Sequence, residues 1–372
     1  MKKAIALLLA LVLCVGLCFG LSSCEEEKGG TLAEFTVVDS PINDNVWDMY
    51  LWENKIFFGT GDGNANTGPI TVYAYDLDTK EFFESGVLKE EVINSFFVID
   101  NTLVAPGIDS TENNNISNYN TYENGEWIQH RILTNTEHCF DVVSYEGRLF
   151  YGVDADISYS PCFSTDESDK DLIRHYFYKD GKRVTKGIES ARVFDLVMLK
   201  GKLYAIMSRD ASSTLALEVY QYNEENSTFE YVSDLGSQAR VASYINFKII
   251  GSKVVVNDRI FIATPQGYYT DNMIDFKSID FGGEYVLDYC LDDNTLYALC
   301  HYPLKSGQYG TSIWALDLAK DSVDFERLVY FESEYCCVSL VKSDSTFYMG
   351  TADINYRNDK KGIVLCVEVT EE

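Results

Sequence analysis

Four aspartates occupy the same place in a recurring sequence pattern, and they are the residues of this chain best suited to form a binding site. Each precedes the start of an apolar segment by eight positions, and serine stands there in the three other copies of the pattern. We call these seven positions the Asp/Ser column: Asp48, Ser95, Asp141, Asp195, Ser252, Asp288 and Ser339. Carboxylates gathered around one axis can attract a cation or a polyol. A repeated small polar residue can instead form a structural ring that satisfies loop amides.

The apolar segments that follow the column define seven repeats. We call the first apolar residue of each segment its anchor, and the anchors are Ile56, Leu103, Leu149, Leu203, Ile260, Leu296 and Phe347. Asn, Gly, Asp or Ser stands two positions before every anchor, and these residues suit tight hairpin turns. A buriable residue lies six positions before each anchor. Every copy therefore predicts a strand, a turn and a second strand in fixed register.

Further strands complete each repeat. Segments with alternating aromatic residues, such as Val72-Tyr73-Ala74-Tyr75, indicate a third strand, and a fourth follows soon after. Four antiparallel strands in each unit of about 50 residues are typical of a propeller. We therefore expect an all-β fold, a seven-bladed β-propeller of four-stranded antiparallel blades over residues 32–372. The last repeat supplies only three strands, so a strand at residues 32–38 is expected to complete it and close the ring.

The two faces of such a ring differ in the length of their loops. Antiparallel strands place the second-to-third loops on one side, the loop face, and the tight first-to-second turns on the other, the turn face. The long loops lie on the loop face, where binding residues are usually found, and we expect the Asp/Ser column to open toward it. Arg209 and His301, in these loops, are expected to join the four aspartates in a ligand site. His130, His138 and His175 are expected in or beside strands away from that face.

Several function classes are excluded or lack their motifs. The chain carries 58 acidic and 30 basic residues, a formal charge of −28, so its surface repels nucleic acid. It has no GxSxG motif, no Gly-rich phosphate loop and no spacing of metal ligands. We therefore expect no metal, no cofactor and no catalytic residues.

The first residues have the pattern of an export signal. Lys2 and Lys3 precede an apolar run over residues 4–20. The following Leu21-Ser22-Ser23-Cys24 resembles the lipobox of bacterial lipoproteins. This resemblance implies a signal peptide at residues 1–24, a lipid on Cys24, and a membrane-anchored protein of the bacterial cell envelope that is periplasmic or surface-exposed. Residues 25–31, acidic and ending near two glycines, are expected to be a tether.

Seven of the ten cysteines follow the predicted signal region. An odd number cannot all pair within one chain, and no CxxC spacing occurs. The hairpin register places Cys290 opposite Tyr297, so we expect no disulfide between Cys290 and Cys300.

The expected ring resembles the propellers of kelch and WD-repeat proteins in architecture only. The Gly-Gly doublets of kelch repeats and a recurrent Trp-Asp dipeptide are missing, so the resemblance implies no function.

Three functions fit these features. The first is a lipid-anchored extracytoplasmic binding module for a polysaccharide, a peptide or a partner protein. The second is a glycoside hydrolase or polysaccharide lyase that uses carboxylates at the channel mouth. The third is a structural subunit of an envelope complex. A carboxylate pair with one strongly raised pKa favours the enzyme, whereas a continuous exposed aromatic ridge favours the sugar binder.

Overall fold

The computed structural model describes residues 29–62, 66, 68–113, 116–134, 136, 138–155, 160–166, 171–184, 191–208, 217–235, 252–264, 266–304, 308–353 and 362–369. The predicted signal peptide with Cys24, the first part of the predicted tether and Arg209 lie outside these described residues. Within them the chain forms strands, turns and bends but no α-helix, and hence no helix suited to span a membrane.

The strands are short and numerous. Before and within the first two repeats they are β1 (Thr31–Leu32), β2 (Thr36–Val38), β3 (Val46–Trp52), β4 (Lys55–Thr60), β5 (Ile70–Asp76), β6 (Glu81–Leu88), β7 (Glu90–Val92), β8 (Phe97–Ile99), β9 (Thr102–Pro106), β10 (Ile108–Ser110), β11 (Ile116–Glu123) and β12 (Glu126–Thr134). In repeats 3 and 4 they are β13 (Cys139–Tyr145), β14 (Arg148–Ala155), β15 (Cys162–Asp166), β16 (Ile173–Lys179), β17 (Lys182–Arg183), β18 (Ala191–Leu199), β19 (Lys202–Ser208), β20 (Leu217–Asn223) and β21 (Thr228–Asp234). In the last three repeats they are β22 (Lys253–Val256), β23 (Arg259–Ile262), β24 (Tyr268–Thr270), β25 (Lys277–Ser278), β26 (Tyr285–Asp292), β27 (Thr295–Pro303), β28 (Tyr309–Asp317), β29 (Glu326–Ser333), β30 (Cys337–Ser343), β31 (Thr346–Thr351) and β32 (Val364–Glu368).

Strands within each repeat pair antiparallel in chain order, and the first of them is called the inner strand below. Among the described residues, five sheets of four or five strands are separate from one another. A sixth sheet, of nine strands, merges repeats 3 and 4, and β7 pairs with β10 in a two-stranded ribbon. The chain is therefore an all-β propeller.

The merged sheet departs from the expected set of separate blades. The end of β14 pairs with the start of β18, through Asp154 with Arg192 and Ala155 with Ala191. On the outer side, β16 and β21 pair in parallel. Both contacts arise because these strands extend beyond their own repeats and meet a neighbouring unpaired edge.

The first-to-second turns are tight two-residue loops, as their composition predicted. In repeat 1, φ is 47° at Glu53 and 61° at Asn54. Asn and Gly adopt this left-handed backbone at low cost, which is why they recur in these turns. The resulting register pairs Cys290 with Tyr297, as predicted, and all seven cysteines of the described residues are free thiols.

The core lies between the faces of neighbouring sheets. One apolar cluster joins Ile206 of repeat 4 to Ile260 of repeat 5, and another joins Leu299 of repeat 6 to Phe347 of repeat 7. These side chains are fully buried, and such burial stabilises the fold by about 1.5–3 kcal/mol per side chain. Each repeat therefore depends on its neighbours to cover its faces.

The N-terminal segment joins two repeats. β2 pairs antiparallel with β32, the third strand of repeat 7, as predicted for this segment. The predicted single strand at residues 32–38 is, however, interrupted. Its first part, β1, runs parallel to β29 at the outer edge of repeat 6. The segment thus covers the edges of two sheets rather than one.

Candidate functional site

The Asp/Ser column links most inner strands to the next; the exception is Ser95, whose Oγ has no hydrogen-bond partner among the described residues. A carboxylate or hydroxyl of one repeat accepts a hydrogen bond from the backbone N–H that directly follows the column residue of the next repeat. These bonds run from Phe96 N to Asp48 Oδ2 (2.7 Å), Leu196 N to Asp141 Oδ2 (2.7 Å), Tyr289 N to Ser252 Oγ (2.7 Å) and Leu340 N to Asp288 Oδ2 (2.8 Å). Ser339 Oγ closes the series by donating to Val46 O at 3.5 Å.

The backbone geometry explains why the column reaches across repeats. In five inner strands the pairing register shifts directly before the column residue, as between Val46 and Asp48. A β-bulge of this kind turns a side chain away from its usual direction. Inner strands have one unpaired edge, and carboxylates satisfy its N–H groups with charge-assisted bonds. The column therefore stabilises the ring.

The link between repeats 4 and 5 is an ion cluster instead. Lys253 Nζ donates to Asp195 Oδ1 at 3.0 Å, to Leu196 O at 2.8 Å and to Asp141 Oδ2. Burial opposes charge on Lys253, but the two carboxylates outweigh it and raise the pKa of the ammonium. Burial also raises the pKa of Asp195 to about 6, although Lys253 acts in the opposite direction. Asp195 Oδ2 is buried and has no hydrogen-bond partner in the described part of the chain.

A cavity of about 650 Å³ lies at the centre, bordered by the inner strands of all seven repeats. Its walls consist of column residues and of residues that follow them along the inner strands toward the turns. They include Asp48, Met49, Tyr50, Leu51, Ser95, Phe96, Phe97, Val98, Asp141, Asp195, Ser252, Lys253, Val254, Val255, Asp288, Tyr289, Cys290, Leu291, Asp292, Leu340, Val341 and Lys342.

The cavity opens on the turn face, contrary to the expectation from loop length. On the loop-face side of the column lies a buried apolar cluster that includes Trp47, Leu287 and Val338, each directly preceding a column residue. On the turn-face side, Leu51, Val255 and Leu291 are 36%, 43% and 42% exposed and form an apolar rim.

Beside this rim stands an ion pair. Lys342 occupies the same sequence position relative to its anchor as Leu51, Val255 and Leu291 do. Its Nζ donates a hydrogen bond to Asp292 Oδ2 at 2.6 Å. The turn-face end of the cavity is therefore apolar except for this ion pair, and we call it the mouth. The opposite end, which we call the floor, is acidic because the column aspartates border it.

The structure brings together four of the six predicted site residues. Asp48, Asp141, Asp195 and Asp288 all border the cavity. His301 does not, because it pairs with Tyr285 on the loop-face side of Asp288. Its ring packs 5.3 Å from Tyr309, and burial lowers its pKa to about 4, so the imidazole is neutral at physiological pH. Arg209 lies outside the described residues.

Lys253 was missed by sequence reasoning. Lys253 directly follows Ser252, the column residue of repeat 5, whose anchor lies nearer to the next anchor than that of any other repeat. Nothing in this sequence spacing indicates which side chains Lys253 binds. The one available signal is a basic residue in an otherwise acidic or neutral inner strand.

His138 was placed wrongly. It forms a bridge with Ile108 on the loop face, where Nε2 lies 2.8 Å from Asp109 Oδ1 and Nδ1 lies 2.5 Å from Asp154 Oδ2. Burial lowers its pKa, but the bonds to the two carboxylates outweigh this and raise the pKa to about 9. His138 is therefore an imidazolium that joins repeats 2 and 3.

Glu90 is a further buried acid that the sequence did not reveal. Its Oε1 accepts from Asn118 Nδ2 at 2.8 Å and from Gln129 Nε2 at 3.4 Å, and its Oε2 has no partner in the described ranges. Burial raises its pKa to about 7 despite these donors. No three His, Cys, Asp or Glu side chains of the described residues form a group that could hold a metal ion.

Comparison with known proteins gives a family and a fold. No curated protein matches the chain. A chain in the crystal structure of the mitotic checkpoint complex is similar, with a TM-score of 0.53 over 92% of this chain and 93% of that one, at 10% identity. That likeness concerns the fold alone. The model of the KIB1-4 β-propeller family matches residues 69–272, more than half of the sequence. The chain therefore belongs to the KIB1-4 β-propeller family.

Proposed function

We propose that this protein is a lipid-anchored, seven-bladed propeller that binds a partner protein through a peptide segment in the central cavity. The observation that carries the proposal is the cavity of about 650 Å³, which has an apolar rim and an acidic floor. Cavities of this size with a few convergent polar groups are typical ligand sites. The similarity in fold to a chain of a multiprotein complex supports a protein partner over a glycan.

Seven blades are the count that the repeats support. Each of the seven repeats has its own set of four antiparallel strands when β2 is assigned to the last one. The merged sheet divides into two such sets at the parallel contact between β16 and β21.

The lipid anchor is supported by the sequence of the first 24 residues. We expect the mature protein to begin at an acylated Cys24, because the lipobox-like Leu21-Ser22-Ser23-Cys24 follows a positive and then apolar segment. Mass spectrometry of the N-terminal peptide from the native host tests this, and a chain that retains Met1 contradicts it.

Binding at the rim is tested with the full chain in detergent and an array of synthetic hexapeptides. Replacing Val255 and Leu291 by Ser removes exposed apolar contacts and should weaken binding of the array peptides by tenfold or more, roughly the effect of losing two buried side chains. Ile128→Ser is the matched control, because Ile128 is 42% exposed like Leu291 but lies on β12. Equal binding by the rim variant and the control contradicts the proposal.

One observation favours a second candidate, hydrolysis or cleavage of a polysaccharide. Asp141 and Asp195 form a buried pair in which the pKa of Asp195 is raised to about 6 by burial, a value suited to a general acid. Lys253, bound to both carboxylates, argues for a structural pair instead. Product formation from a panel of polysaccharides that is lost in Asp195→Asn would favour the enzyme.

A further inference from the structure

We infer that the protein lies on its membrane with the turn face toward the lipid, so that the mouth of the central cavity opens toward the bilayer surface. The partner segment then comes from a protein of the same membrane. This inference rests on the proposed function, because it takes Cys24 as the acylated residue and the central cavity as the binding site. Three features of the N-terminal segment support it: its position, its attachment and its length.

The N-terminal segment is fastened at the turn-face end of repeat 6. β29 is the fourth strand of that repeat, so it begins at the turn face, at Glu326, and runs toward the loop face. Gly29 O accepts a hydrogen bond from Arg327 Nε at 2.8 Å, one residue after β29 begins. From there β1 runs parallel to β29, and Ala33 N donates to Tyr330 O at 2.9 Å. Gly29 therefore lies at the turn-face end of this outer edge.

The attachment of Gly29 is built on buried groups. The Arg327 side chain is only 12% exposed, and its Nη1 lies 3.5 Å from Oε1 of Glu284, whose side chain is fully buried. The guanidinium of Arg327 also packs 4.5 Å from the centre of the Tyr330 ring. At Gly30 φ is 84°, and a Cβ atom there would lie 2.9 Å from Arg327 O, so this close approach requires glycine. The start of the described chain is thus held firmly against repeat 6.

The remaining length limits where the lipid can lie. Cys24 stands five residues before Gly29, and five residues span at most about 18 Å even when fully extended. β29 continues for six residues from Arg327 to its loop-face end at Ser333, a distance of about 20 Å along a strand. Cys24 therefore cannot pass the loop-face end of repeat 6, and a lipid on it cannot enter a bilayer that lies there. A bilayer at the turn face is within its reach.

This orientation brings the cavity mouth to the membrane side. Leu51, Val255 and Leu291 are exposed around the mouth on the turn face. At repeat 6 the space between this face and the lipid is at most about 18 Å, which is the reach of the tether. A helix about 10–12 Å wide or an extended segment fits this space. A folded domain of about 100 residues, with a radius of gyration of about 13 Å, does not. The structure thus favours a partner segment that lies next to the membrane.

The test of orientation uses the full acylated chain in phosphatidylcholine vesicles that contain a rhodamine-labelled lipid. These lipids are zwitterionic, so the formal charge of −28 has little influence on the result. A donor fluorophore is attached at Ser322→Cys, in the turn between β28 and β29, or at Glu334→Cys, directly after β29. Both positions are exposed and belong to repeat 6. Protein without either substitution gives the background from the native thiols.

Energy transfer to the labelled lipid should be clearly stronger from position 322 than from position 334, because the two ends of β29 are about 20 Å apart. Equal transfer from both positions would indicate that the propeller lies on its outer edge, and it overturns the inference. Stronger transfer from position 334 overturns it as well.

Variants of the attachment test its role. Arg327→Ala and Gly30→Val should each narrow the difference in energy transfer, because release of β1 leaves nine residues between Cys24 and Ala33, with a reach of about 30 Å. Arg183→Ala is the matched control, since Arg183 also packs over a tyrosine ring, at 3.7 Å, but in repeat 3. It should leave the difference unchanged. A difference that survives both attachment variants overturns the claim that this contact sets the orientation.

Access to the cavity is tested with the tightest-binding hexapeptide of the array, used free or fused to a folded carrier protein. The fusion should bind the vesicle-held protein about tenfold more weakly than the free peptide does. It should bind Cys24→Ser, which cannot be acylated and stays in solution, as tightly as the free peptide does. Equal binding of the fusion to both forms overturns the inference that the partner segment comes from the same membrane.

The outcomes separate this inference from the proposed function. If Cys24→Ser associates with vesicles as fully as the wild type, the lipid anchor fails, and the orientation fails with it. If the wild type binds no peptide of the array but shows the expected difference in energy transfer, the binding function fails and the orientation stands.

Discussion

At the residue scale, this propeller uses buried charge mainly to hold its own backbone. Asp48, Asp141 and Asp288 accept backbone N–H bonds from the next repeat at 2.7–2.8 Å. Such bonds satisfy backbone N–H groups at the free edges of the inner strands of repeats 2, 4 and 7, where water has little access. Asp195 is the exception, because its carboxylate contacts the Lys253 side chain and no backbone N–H among those described. The column therefore binds backbone N–H groups at three aspartates and a lysine side chain at the fourth.

Removing a structural column carboxylate should destabilise the fold. We expect Asp48→Ala to lower the free energy of unfolding by about 1.5–3 kcal/mol, because Phe96 N loses a charged acceptor in a buried position. Asp48→Asn retains an acceptor oxygen and should cost less. Urea denaturation followed by tryptophan fluorescence measures both, with the exposed Asp321→Ala as control. A change below about 0.5 kcal/mol for Asp48→Ala would show that the bond contributes nothing to stability.

Glu90 predicts a loss of stability at neutral and alkaline pH. Its pKa is raised by burial from 4.5 to about 7, so its protonated form stabilises the fold fully below pH 4.5. That contribution is lost as the pH rises through 7, because the folded protein must then hold a buried anion. Glu90→Gln should therefore be more stable than wild type at pH 8 by about 1–3 kcal/mol and nearly equal at pH 5.

The measurement is the thermal midpoint at both pH values. The exposed Glu81→Gln, on β6, should follow the wild type at each. A Glu90→Gln protein that is destabilised equally at pH 5 and pH 8 would show that the glutamate is ionised in the folded state.

At the element scale, neighbouring repeats are joined by polar contacts at the ends of strands. β-bulges direct the column across the interface, and the strand extension of β14 reaches β18. On the loop face His138 binds Asp109, which follows the start of β10, and Asp154, near the end of β14. These contacts fix the spacing between sheets, whereas the apolar clusters between them supply most of the stabilisation.

His138 predicts a second pH effect, distinct from that of Glu90. Its pKa is raised from 6.5 to about 9, so the imidazolium stabilises the fold fully below pH 6.5, and this stabilisation is lost as the pH rises through 9. The shift corresponds to about 3 kcal/mol. We expect His138→Gln to be less stable than wild type at pH 6 and to show a flatter decline between pH 6.5 and 9.

Thermal midpoints of wild type and His138→Gln measured between pH 6.5 and 9 test this expectation. His175→Gln is the control, because burial lowers the pKa of His175 to about 4 and its imidazole stays neutral throughout. It should lower stability without changing the slope. An unchanged slope in His138→Gln would mean that the two carboxylates do not hold a proton on this histidine.

At the scale of the whole molecule, the N-terminal segment covers the outer edges of the last two repeats. β2 covers the edge of β32, and Phe35 packs 5.1 Å from Phe331 of repeat 6. Without this segment, two outer strands present unpaired backbone and apolar surface. The ring has no other described strand to replace it.

Deleting residues 25–40 should therefore lower the thermal midpoint by several degrees or more, since a loss of about 1 kcal/mol already shifts it by roughly 2–4 °C in a chain of this kind. Deleting residues 25–28 alone is the matched control and should leave the midpoint unchanged. If the two deletions behave alike, closure through β2 does not stabilise the ring.

The sequence by itself determined the local structure of each repeat. The residues two, six and eight positions before each anchor encode a turn, a buried strand position and a polar column, and the register that pairs Cys290 with Tyr297 follows from them. These are local properties, because turn geometry and side-chain alternation fix hairpin register. They were therefore predictable without any knowledge of neighbouring repeats.

Only the tertiary structure decided how the repeats meet. Which end of the channel is open, which carboxylates Lys253 binds and where His138 finds its partners all depend on residues far apart in sequence. Spacing along the chain carries no information on these distances, since they are set by the packing and twist of whole sheets against one another. Loop length therefore carried no information on the position of the cavity, which the four aspartates border.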